Sequence, residues 1–178
     1  NESLDCAKKW SAILGTDFQI SVNKSGYEFS KNIISTDWST QLANMKQASK
    51  FIAVEISEKI FMHDSKIAKD RLNDLKNSGV ELIIDHFGIG HSLMAYMRKF
   101  DADYLKIDQS FIKDSVINEY SRTMCETMVV MAHKLGLKAI APGVENIEQR
   151  DWLKGVDCDM AQGYFFPGLC RQKNLRNY

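Results

Sequence analysis

At 178 residues, with 44% hydrophobic and 26% charged residues, the chain has the size of a single domain and can bury a substantial core. Its 23 lysines and arginines balance 23 aspartates and glutamates, which excludes the one-signed field that drives sequence-independent binding to nucleic acid or an anionic membrane, so any anionic ligand must be held locally. No run approaches the ~20 apolar residues of a membrane span and the start Asn1-Glu-Ser-Leu4 lacks a secretion signal; the expectation is a soluble, cytoplasmic chain, or the cytoplasmic domain of a larger, membrane-anchored protein.

Leu4, Ala7, Trp10 and Leu14 follow helical spacing up to Gly15, and Phe18-Gln-Ile-Ser-Val22 then reads as a strand. Residues 36–50 predict a helix before the apolar run Phe51-Ile-Ala-Val54, which ends at Glu55. Asp64 or Ser65 can cap a helix carrying Ile67, Leu72 and Leu75 that stops at Gly79 and yields the strand Val80-Glu-Leu-Ile-Ile84. Leu93, Tyr96 and Met97 mark a short helix ahead of Tyr104-Leu-Lys-Ile107. Tyr120, Met124, Met128, Met131 and Leu135 mark a long one ending at Gly136, followed by Leu137-Lys-Ala-Ile-Ala141. Asn146 caps a helix with Trp152 and Leu153, ended by Gly155, and the chain becomes extended again near Cys158 to Tyr164.

Strands alternating with helices require crossover connections, hence a parallel α/β architecture. The near-continuous apolar strands fit either a barrel or an open doubly wound sheet. With two prolines and no low-complexity stretch, no linker divides the chain. The cysteines Cys6, Cys125, Cys158 and Cys170 form no CxxC pair, which argues against zinc or a disulfide framework and for reduced thiols.

Polar residues gather at the strand ends: Asn23, Glu55, Asp85 with His86, Lys106 with Asp108, Glu145 and Gln162. In β/α barrels that rim carries ligands and chemistry. Each residue singly could be an ordinary turn or cap; six successive units sharing one rim favour a site. His63 and His133 fall on polar helix faces or turns and read as surface residues.

These segments resemble the EAL domain family from about residue 1 to residue 170. Ser21-Val-Asn-Lys-Ser25 is similar to the family's VNxS strand, Val54-Glu-Ile-Ser-Glu58 to ExTE, and Asp85-His-Phe-Gly-Ile-Gly90 to DDFGTG. Tyr104-Leu-Lys-Ile-Asp108 is similar to YLKID, Ala141-Pro-Gly-Val-Glu145 to AEGVE and Asp159-Met-Ala-Gln-Gly-Tyr164 to DxxQGY. The resemblance implies one EAL-like domain over 1–178, an incomplete TIM-like (β/α) barrel of about six parallel strands, truncated at its N-terminus and closed by a C-terminal tail or terminal helix. It also implies cyclic-di-GMP as ligand and, in active members, hydrolysis to linear pGpG with two Mg²⁺ or Mn²⁺ ions, Ca²⁺ being inhibitory. Hard cations want oxygen ligands, and two of them can activate water for in-line displacement.

By the same resemblance Asn23, Glu55, Asp85 and His86 stand at metal-ligand positions, Lys106 and Glu145 at catalytic ones, and Gln162 and Asp108 at ligand-binding ones; Lys106 would steady the attacking water or the developing charge. Three departures cut against turnover. His86 replaces a carboxylate that could bridge two ions, and a neutral imidazole offers one lone pair. Pro142 replaces the family's proposed general base and cannot accept a proton. The Glu-Ala-Leu signature itself lies outside the sequence. Ile89 and His91 replace a threonine and an aromatic residue, which puts the loop's support of the metal site and of a dimer contact in doubt.

Three functions follow: a degenerate domain of a bacterial signalling protein that binds cyclic-di-GMP with little or no hydrolysis, a phosphodiesterase completed by an upstream segment and by His86, or a surface that recognises a protein partner without nucleotide. Six strands of a closed barrel leave two unpaired edges, so the expectation is a fragment of a longer protein or a homodimer that covers the gap.

Overall fold

The computed structural model describes residues 2–15, 18–24, 26, 29, 40, 43–44, 46, 49–62, 66–89, 101–166 and 173–174. Most of the helix expected over 36–50, the cap at Asp64 or Ser65, the short helix around Leu93, His63, His91 and Cys170 lie outside them. The chain forms two compact units, residues 1–83 with 92–102, and residues 84–91 with 103–178.

In the first unit α1 (Glu2–Leu14) precedes β1 (Ile20–Lys24). Ala7 on α1 is fully buried, Trp10 lies 6.2 Å from the Phe18 ring, and Ser11 Oγ accepts a hydrogen bond from Phe18 N–H at 2.8 Å. One apolar face thus docks the helix onto the start of its own strand. β1 pairs in parallel with β2 (Ile52–Ser57), placing Ile20 beside Ile52 and Asn23 beside Glu55. The four central residues of β2 are all buried, as expected for a strand covered on both faces. After the short α2 (Glu58–Met62), α3 (Lys66–Asn77) buries Ala68, Arg71, Leu72 and Leu75 and leads into β3 (Glu81–Phe87). The strand order in this unit is β1, β2, β3.

The second unit takes up the end of β3 and continues through β4 (Tyr104–Ile107), β5 (Lys138–Ala141), β6 (Met160–Ala161) and β7 (Lys173–Asn174) in that order. β4, β5 and β6 pair in parallel, with Lys106 beside Ile140 and Ala141 beside Ala161. β7 pairs antiparallel to β6, a strand within the segment expected as a tail or terminal helix. Between strands lie α4 (Gln109–Asp114), α5 (Glu119–Lys134) and α6 (Ile147–Gly155). The long α5 buries Ser121, Cys125, Met128, Val129 and Ala132, spacings of three and four that mark a single inward stripe. The described cysteines carry free thiols, and Cys125 and Cys158 are buried; burial pushes the Cys125 thiol up to about 12.

α6 begins with a reciprocal cap: Asn146 Oδ1 accepts the Gln149 N–H at 2.9 Å while Gln149 Oε1 accepts the Asn146 N–H at 3.3 Å and the Glu145 N–H at 2.7 Å. Gln149 Nε2 also donates to Ile112 O at 3.2 Å, buried between α4 and α6. Asn146→Ala is therefore expected to destabilise the protein by about 1 kcal/mol, measured as a lowered urea midpoint with unchanged slope; an unaltered midpoint would show the cap to be redundant.

Candidate functional site

In the first unit Asn23 and Glu55 sit side by side in the β1–β2 register. Asn23 is exposed and Glu55 is buried at 3%. Both strands run beyond the residue of interest, β2 to Ser57 and β1 to Lys24, so these side chains belong to the last pleats rather than to the loops.

In the second unit β3 extends to Phe87, three residues past the expected end, and carries Asp85 and His86 within it. Asp85 Oδ1 accepts the His86 backbone N–H at 2.9 Å and stands 3.9 Å from Lys106 Nζ on the neighbouring strand. Both side chains are largely buried, at 13% and 12%, and screening by water is correspondingly weak. His86 Nδ1 is 2.9 Å from Asp108 Oδ2, and its Nε2 is 3.6 Å from Asp85 Oδ2. Asp108 caps α4, its Oδ1 accepting Ser110 N–H at 3.0 Å and Ser110 Oγ at 2.7 Å. Burial alone would raise the Asp108 carboxyl, but the hydrogen bonds from Ser110 and His86 outweigh it and hold the group below its ordinary range.

The next two strand ends are fastened to each other. Gln162 N–H donates to Ala141 O, Val144 N–H to Gln162 O and Phe165 N–H to Val144 O, at 2.9, 2.9 and 3.0 Å. This strap fixes Pro142 and Gly143 beside Gln162, and a Cβ added at Gly143 would meet Gln109 Cβ at 3.3 Å, next to Asp108. Gln162 is half-buried, and its Oε1 is buried with no hydrogen-bond partner among the described residues. Such an atom costs free energy unless something else donates to it. Glu145 is exposed, with its backbone N–H held by Gln149.

Among the sequence-derived candidates, the second unit therefore brings together Asp85, His86, Lys106 and Asp108, and joins the Pro142 turn to Gln162. The link from His86 to Asp108 was not legible from sequence, since it joins side chains 22 positions apart. His133 needs correcting. It is not simply a surface residue but is half-buried, its Nε2 2.7 Å from Oδ2 of buried Asp159, which also accepts the Ala139 N–H at 2.9 Å. The last turn of α5 aims it at the chain entering β6, which a polar reading of the helix face could not reveal.

A pair of hard cations does not fit this donor set. Of the four carboxylate oxygens of Asp85 and Asp108, three accept hydrogen bonds from the chain, and the imidazole cannot bridge two ions. Among the described residues no three His, Cys, Asp or Glu side chains are gathered so as to hold a metal ion, and no helix is long and apolar enough to cross a membrane.

The family model described as EAL domain matches residues 2–168. The signaling protein YkoW of Bacillus subtilis is 35% identical over 153 residues, 85% of this chain and 19% of its own length. The cyclic di-GMP phosphodiesterase NbdA of Pseudomonas aeruginosa is 37% identical over 135 residues, 74% of this chain and 17% of its own. The chain thus spans about a fifth of these curated relatives. Among solved structures, the PaMucR phosphodiesterase in complex with c-di-GMP superimposes with a TM-score of 0.83 at 26% identity, over 99% of this chain and 70% of that one. The EAL enzyme Bd1971, in its cAMP- and cyclic-di-GMP-bound form, gives 0.81 at 27%, over 98% and 47%. The fold is accordingly α/β, with six parallel strands of a TIM-like barrel.

Proposed function

The chain belongs to the EAL domain family, and from that premise we propose that it is the regulatory EAL segment of a bacterial signalling protein that binds cyclic-di-GMP with little or no hydrolysis. The observation that carries this reading is Pro142 at the end of β5, where the family's AEGVE motif would put a proton acceptor, tied down by the strap between Ala141, Val144 and Gln162. Water attack on a phosphodiester needs a group to take its proton, and proline has none.

A phosphate group needs less. Lys106 supplies a fixed positive charge at the rim, and Gln162 Oε1 is an acceptor without a donor among the described residues, suited to an N–H of a guanine edge. Binding therefore survives the loss of chemistry, because ground-state contacts and proton transfer are separate contributions. Asn23 and Glu55 in the first unit and Glu145 in the second are assigned as ligand-binding groups by their places in the VNxS, ExTE and AEGVE segments. The protein works in the cytoplasm.

Calorimetry with cyclic-di-GMP, in Ca²⁺ and separately in EDTA, tests the reading. Heat of saturable binding is expected, together with no pGpG from the parent in Mg²⁺ or Mn²⁺. A His86→Asp, Pro142→Glu double variant should raise hydrolysis by ~10² or more, the usual weight of a positioned base. Turnover by the parent refutes the reading in favour of a phosphodiesterase. Absence of both heat and thermal shift leaves a module that recognises protein instead.

A further inference from the structure

We propose that His86 takes the place of a divalent cation at the β3–β4 end of the rim, its ring rather than an ion linking Asp85 to Asp108, so that this end excludes Mg²⁺ and Mn²⁺. The inference deepens the reading of these residues as the rim of the site, and it stands whether or not nucleotide binds.

The geometry leaves a hard cation little to hold. Mg²⁺ and Mn²⁺ ask for several oxygens arranged about a centre at roughly 2.0–2.2 Å. Asp108 spends Oδ1 on the Ser110 N–H and hydroxyl and Oδ2 on His86 Nδ1. Asp85 spends Oδ1 on the His86 N–H, with the Lys106 ammonium 3.9 Å away. The remaining oxygen, Asp85 Oδ2, faces His86 Nε2 at 3.6 Å. A cation entering there would meet one carboxylate oxygen that accepts no hydrogen bond among the described residues and one ring nitrogen, beside an ammonium 3.9 Å from the other oxygen of the same carboxylate, and only by breaking the His86 to Asp108 contact would it gain a second carboxylate. A carboxylate at position 86 reverses this: it adds two oxygens, removes the ring and frees Asp108 Oδ2.

Titration with Mn²⁺ alone, followed by isothermal calorimetry, tests the proposal on the chain as it stands. The parent is expected to bind no Mn²⁺ more tightly than ~1 mM. His86→Asp should bind at least tenfold more tightly, with thermal melting confirming that it folds; His86→Asn, which removes the ring but adds an oxygen, should fall between the two. Micromolar saturation of the parent overturns the proposal, as does a folded His86→Asp protein that binds Mn²⁺ no better than the parent. A parent that excludes Mn²⁺ but gives no heat with cyclic-di-GMP refutes nucleotide binding while leaving this proposal intact.

Discussion

Gly163→Ala is expected to cost at least ~3 kcal/mol of stability, the sum of a backbone forced apart and of the overpacking that follows. A Cβ at Gly163 would lie 2.1 Å from Val144 O, 2.4 Å from Val144 N and 2.7 Å from Val144 C. All three are main-chain atoms, so no rotamer change can relieve the contact. What must move is the strap itself, because Val144 N–H donates to Gln162 O and Val144 O accepts Phe165 N–H. The loss therefore falls on the two strand ends that carry Pro142 and Gln162. Urea unfolding of the variant should show a clearly lowered midpoint, and any cyclic-di-GMP heat should vanish with it. A variant melting like the parent would mean that the close approach of residues 144 and 163 is not part of the folded state.

The second large effect is expected at Asp159→Ala. This carboxylate is 7% exposed and serves two donors with one oxygen, the Ala139 N–H in β5 and His133 Nε2 at the end of α5. Removing it strands a buried backbone N–H in the middle of the sheet, together with one side of an imidazole, at a cost of ~2–4 kcal/mol. In thermal melting that corresponds to a drop of roughly 5–15 °C for a chain of this size. Asp159→Asn keeps an acceptor and should lose less, and His133→Ala, which leaves the Ala139 bond in place, should lose about 1 kcal/mol. If His133→Ala proved as damaging as Asp159→Ala, the backbone bond would not be the dominant part.

The strands around Ile52, Tyr104 and Lys138, the long helix through Met124 and Met128 that ends before Gly136 and the helix starting at Asn146 were readable because apolar runs and helical stripes are local patterns. Within the second unit, Asp85, His86, Lys106 and Asp108 were readable in the same way, as polar residues where apolar runs stop, and they do lie together. What sequence could not disclose was which polar group answers which. Asp108 caps α4, and its second oxygen reaches 22 positions back to His86. His133 looks solvated on a helical wheel, and its partner lies 26 positions ahead. Each is a long-range pairing set by the packing of elements, and no spacing rule contains it. The extension of β3 to Phe87 has a similar origin: Phe87 O accepts the N–H of Asp108, the residue between β4 and α4, at 3.0 Å, a partner distant in sequence.

His86 holds a backbone angle φ of 58°, territory that most side chains avoid but that asparagine and aspartate enter with comparative ease. The chain therefore presents, at its most chemically altered position, a perch on which imidazole, amide and carboxylate are interchangeable without rearranging the main chain. Position 142 offers no such freedom, since proline there has given up an amide hydrogen and stiffened its neighbour. A substitution at position 86, on β3, therefore asks nothing new of the main chain, whereas one at position 142, just past β5, also restores an amide hydrogen and loosens Ala141.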